Sequence, residues 1–77
     1  MWIKVEDRKP KNQPIRSRRY YMAYAPEYGG YIFKCWYRNG FGAIGPQSMI
    51  DGVTHYRVGG RGEKDKQLTD KEFSELL

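Results

Sequence analysis

The chain has 77 residues, enough for one domain at most, and a domain of that size buries only about 60% of its unfolded surface, which argues against a large, deep active site. Seven of its twelve aromatic rings are tyrosines, so the small core must be built largely from rings that keep a polar tip. The net charge of +5 is unevenly placed: residues 1–62 carry eleven Lys and Arg against four acids, and residues 63–77 carry three against five, so a basic body that attracts polyanions bears an acidic tail.

In chain order, "WIKVEDR" alternates and predicts a short strand. Pro10 and Pro14 then stop it, because each removes a backbone donor and biases the preceding residue to an extended or turn conformation. The loop they make is basic: Arg8, Lys9 and Lys11 surround it, and Arg16, Arg18 and Arg19 stand at its exit. "RYYMAYA" predicts a strand with Tyr20, Met22 and Tyr24 on one face and Tyr21, Ala23 and Ala25 on the other. "YIFKCWYR", residues 31–38, is the clearest strand. Tyr31, Phe33, Cys35 and Tyr37 share one face, and Ile32, Lys34, Trp36 and Arg38 the other, so rings on both sides leave the core face open.

Asn39-Gly40 follows at once and predicts a two-residue hairpin turn, since both residues tolerate positive φ. Phe41 begins a returning strand that Gly42, Gly45 and Pro46 keep short. Asp51-Gly52 is a second turn, and "VTHYRV", residues 53–58, predicts the last strand. "GGRGEKDK" then marks the end of the sheet. In "LTDKEFSELL", Thr69 and Glu72 have capping-box spacing, Leu68 can staple onto Phe73, and Phe73, Leu76 and Leu77 form one apolar stripe of a short helix.

The chemistry-bearing residues are sparse. Glu6 and Asp7 point to opposite faces if their strand is regular, so they cannot flank one bond as acid and base. Ser17, Ser48 and Ser74 lack a nucleophile-elbow context for His55 to serve. One histidine and one cysteine fall short of the four ligands of a structural zinc site, and "GGRGEK" lacks the spacing of a phosphate-binding loop. The reading is a non-enzyme without cofactor or metal. No stretch approaches the ~20 apolar residues of a membrane span, the N-terminus has no apolar run of leader length, and the single Cys35 fits a reducing compartment, so the chain reads as cytoplasmic.

The arginines and tyrosines of residues 16–24 carry three readings. A solvated basic loop entering a strand is the plainest. A nucleic-acid grip needs a basic track with rings on which bases stack, and Arg and Tyr are also enriched at protein interfaces. The candidate contact residues are Lys9, Lys11, Arg16, Arg18, Arg19, Tyr20, Tyr21 and Tyr24.

At "WIKVEDRKP", "YIFKCWYRNGFG" and "DGVTHYRV" the sequence resembles a family of small phage and prophage proteins, the domain of unknown function 551. Trp2, Ile3, Val5, Asp7, Arg8 and Pro10 match the family's opening motif, Trp36, Tyr37, Gly40 and Phe41 its middle, and Val53, Thr54 and His55 its closing Thr-His-Trp element. Tyr56 stands where the family usually has Trp, and the ending differs. The resemblance implies a phage setting, a bacterial host cytoplasm and a small β-rich fold, and it implies no activity.

Together these features predict a mainly β domain over residues 1–60, a small twisted antiparallel sheet or partly open barrel of four to five strands, with a Gly-rich charged connector and short helix over 61–77. The expected role is an accessory protein that binds and modulates a host complex of defence or nucleic-acid machinery. Direct nucleic-acid binding through the same residues is the alternative, and self-association through Phe73, Leu76 and Leu77 a third reading.

Overall fold

The computed structural model describes residues 1–14, 18–44, 48–60 and 62–77. Among them, seven strands join one antiparallel sheet: β1 (Ile3–Lys4), β2 (Tyr21–Ala25), β3 (Tyr31–Tyr37), β4 (Phe41–Ala43), β5 (Met49–Ile50), β6 (His55–Val58) and β7 (Lys66–Gln67). A short helix, α1 (Asp70–Ser74), follows. The spatial order is β1-β6-β2-β3-β4-β5, and β7 pairs with the start of β3 at Tyr31 and Ile32. The fold is mainly β, with an open sheet. It has more strands than the four or five expected because β5 and β7 are two residues long, too short for any periodicity to be read.

Alternation along β2 and β3 buries both faces of the sheet. Ala23, Ala25, Phe33, Cys35, Phe41, Ala43 and Tyr56 form one core; Met22, Tyr24, Ile32, Leu68 and Phe73 form the other. The two faces of residues 31–38 are therefore both core at their centre. In the first core the Phe41 and Tyr56 ring centroids lie 6.0 Å apart, although their strands are separated by β2 and β3. Three strand spacings of about 4.8 Å would hold them roughly 14 Å apart in a flat sheet, so the sheet curls tightly around this concave core. The second core lies on the convex face, where Leu68 and Phe73 cover it.

Three local expectations are corrected. The first strand ends at Lys4, because the amides of Asp7 and Arg8 both donate to the Lys4 carbonyl, each at 3.1 Å, and turn the chain. The hairpin after β3 has three loop residues rather than two: Tyr37 pairs with Phe41, the Arg38 amide donates to the Gly40 carbonyl at 3.0 Å, and Asn39 alone takes positive φ, 58°. Finally, the sheet does not end before the charged tail. Arg57 holds Glu63 with two 2.7 Å hydrogen bonds, the Lys34 amide donates to Asp65 at 2.8 Å, and β7 then adds to β3.

The helix start is as expected. Thr69 Oγ1 accepts from the Glu72 amide and the Glu72 carboxylate from the Thr69 amide, both at 3.1 Å, which satisfies two otherwise unpaired donors. Of the expected apolar stripe, only Phe73 is buried; Leu76 and Leu77 are exposed. Phe73 is a core residue, so this stripe is not a free contact surface as a whole.

Candidate functional site

The basic loop leaves the turn after β1 at Asp7 and is fastened across the open side of the curled sheet. The Tyr56 hydroxyl donates to the Arg8 carbonyl at 2.8 Å, and Pro10 is buried. Further on, the Gln13 amide donates to the Tyr37 carbonyl at 2.8 Å while its side-chain oxygen accepts from the Tyr37 amide at 3.0 Å. Asn12 pairs both side-chain groups with Asn39, at 2.8 and 2.9 Å, and Gln13 Nε2 donates to the Arg19 carbonyl at 3.0 Å. Polar residues between the cations thus clip the strap to β3 and β6. Arg8, Lys9, Lys11, Arg18 and Arg19 are left exposed; Arg16 lies outside the described residues.

The tyrosines separate from those cations. Tyr24, one of the candidate contact residues, is instead buried: its ring stacks on Phe73 with centroids 3.7 Å apart, and its hydroxyl donates to Asp70 at 2.8 Å. Burial first, then the hydrogen bond and charge of Asp70, push its hydroxyl up to about 12. Tyr21 is half-buried against the concave core, edge-on to Tyr56 at 5.6 Å. Tyr20 is half-buried on the convex side, with its hydroxyl on the Gly60 carbonyl. Period-2 alternation sends Tyr20 and Tyr21 to opposite faces, so the structure does not assemble the three rings into one platform.

A hollow of about 640 Å³ forms where the turn after β1 meets the start of β6, lined by Lys4 through Lys9 and by Val53, Thr54 and His55. Register brings them together: Ile3 pairs with Tyr56 and Lys4 with His55. The turn after Lys4 places both Glu6 and Asp7 along this hollow, correcting the expectation of opposite faces. His55 Nδ1 lies 2.9 Å from Thr54 Oγ1, its ring meets Phe73 edge-on at 5.0 Å, and Nε2 is buried without a partner among the described residues. Burial and Lys4 lower its pKa below the ordinary 6.5, against the opposing pull of Glu6 and Asp7.

One arrangement was not singled out from the sequence. Trp36 lies across from Gly42 in register, and a Cβ at Gly42 would overlap its indole. The Arg38 guanidinium lies 4.1 Å from the centre of that indole. The visible signal is the alternation Lys34, Trp36, Arg38 on one face; the missing part is that a glycine on the neighbouring strand lets the ring lie flat.

These features define a curled, open antiparallel sheet with a docked C-terminal helix and a fastened basic strap. No family model, curated protein or solved structure matches the chain. Among the described residues, no helix is long and apolar enough to cross a membrane.

Proposed function

We propose that this protein is a non-enzymatic phage or prophage accessory protein that acts in the bacterial cytoplasm, docking its basic strap on a host macromolecular complex and altering it. The observation that carries the reading is the clipping of Asn12 to Asn39 and of Gln13 to Tyr37, which fixes the backbone between exposed cations. A loop already held in place loses little conformational freedom on binding, so its charges act as a preorganised contact surface. The burial of Tyr24 and the opposite facing of Tyr20 and Tyr21 favour a protein partner over base stacking at this strap. The phage setting rests on the motif residues Trp2 to Pro10 and Val53 to His55.

The test is affinity capture from bacterial lysate, split into nuclease-treated and untreated halves, with the native protein and a Lys9→Glu/Lys11→Glu/Arg18→Glu variant. One host complex retained by the native protein and lost by the variant, with melting unchanged, is the expected result. Recovery only of nucleic-acid proteins, and only without nuclease, overturns it in favour of direct nucleic-acid binding.

A further inference from the structure

A second surface stands apart from the strap. On the convex face, α1 covers Trp2, Tyr24 and His55 through Phe73. Beyond the helix, Tyr20 and Trp36 are half-buried and each lies against a glycine: a Cβ at Gly59 would overlap the Tyr20 ring, and one at Gly42 the Trp36 indole. Glycine on the inner side lets each ring lie flat on the backbone, leaving its other face turned outward. Cations already occupy this side. Arg38 sits 4.1 Å from the Trp36 centroid and the Lys34 ammonium 5.4 Å from the Tyr20 centroid.

We propose that Tyr20, Lys34, Trp36 and Arg38 form a stacking site for single-stranded nucleic acid. Flat rings interleaved with cations are what an unpaired strand recognises, because bases stack on the rings while phosphates meet the charges. Arg38 supplies a second indication. Its Nε is buried and has no hydrogen-bond acceptor among the described residues, so its stacked position leaves a donor unmet. A base that takes its place on the indole frees the guanidinium for a phosphate oxygen, which accepts from that Nε–H. Two carboxylates nearby are already engaged, Asp65 by the Lys34 amide and Glu63 by Arg57. A duplex, whose bases are already stacked on each other, has no exposed base faces to offer the rings.

The experiment is titration of the full chain with a fluorescent oligothymidylate and with a duplex of equal length, at several salt concentrations, following anisotropy and tryptophan emission. Tighter binding of the single strand, quenched indole emission and weakening of about tenfold in Trp36→Leu are expected, with Trp36→Phe recovering part of the affinity. Arg38→Gln is expected to bind more weakly and flatten the salt dependence by about one phosphate contact. Should Trp36→Leu fail to fold, the quenching in the native chain and the Arg38→Gln titration decide. Absence of binding, equal affinity for the duplex, or full affinity in a folded Trp36→Leu overturns the proposal. Capture of a host protein by the strap is read separately, so the two proposals fail independently.

Discussion

The Tyr24 ring lies on Phe73 with planes 7° from parallel, joining the second strand of the chain to its C-terminal helix. Phe73 also meets Trp2 and His55 edge-on, so one side chain ties α1 to three strand regions. A helix of five residues has no independent stability; this contact and the capping box hold it. Phe73→Ala is expected to cost about 3–5 kcal/mol in urea denaturation, a large share of the stability of a small domain. Deleting residues 63–77 is likewise expected to lower the melting temperature. Unchanged melting combined with conversion of an oligomer to a monomer in sedimentation would instead support self-association through the tail.

The hydroxyl of Tyr56 fastens the basic strap to β6 through the Arg8 carbonyl. Tyr56→Phe keeps the ring in the core and removes only that bond. The expected loss is about 1 kcal/mol, with faster tryptic cleavage after Lys11. Cleavage at the native rate would show that Asn12 and Gln13 hold the strap unaided.

Trp36 and Gly42 form a complementary pair across β3 and β4. Gly42→Ala is expected to displace the indole and cost about 1–3 kcal/mol. In a double-mutant cycle, Trp36→Leu should relieve much of that penalty, because the added methyl group then meets a more yielding side chain. Additive losses would place the cost in the Gly42 backbone instead.

Stability should fall with acid in two windows. The folded state lowers the pKa of His55, so the unfolded chain binds its proton first and stability drops as the pH falls below about 6.5. The Arg57 hydrogen bonds hold the Glu63 carboxyl below its ordinary 4.5. Its contribution is complete above that value and declines as the pH falls through the lower folded value. His55→Phe should remove the first slope and Glu63→Gln should reduce the second, measured by urea midpoints across pH; the capping Glu72, also held below its ordinary 4.5 by its hydrogen bonds with Thr69, supplies the remainder. A slope that persists undiminished in both variants assigns the acid sensitivity to other carboxylates.

Cys35 is fully buried, and burial, followed by the charge of Asp65, pushes its thiol up to about 12. Since the thiolate is the reactive form, alkylation should be negligible in the native protein and proceed only as fast as the chain unfolds. Rapid native labelling would contradict the burial.

Features written in neighbouring residues were legible in the sequence. Thr69 and Glu72 announced the helix start, because a capping box is made within four residues. The alternation of Tyr21 to Ala25 and Tyr31 to Tyr37 announced two strands, because side-chain direction in a strand has period two. Ile3 opposite Tyr56 joins the start of the chain to its fifties, a partnership between residues far apart in the chain. The basic strap was visible as charge, while its fastening through Asn12 and Gln13 was not.

What tertiary structure alone decided was which residues end up inside. Tyr24 reads as a contact tyrosine until a helix more than forty residues away lays Phe73 on it, and Trp36 is undecided between core and surface until Gly42 on the next strand gives its indole a flat seat. Both outcomes depend on partners distant in the chain, and one strand's alternation specifies only that a side chain points to a given face. Whether that face is covered depends on the curl of the sheet and on what returns to pack against it.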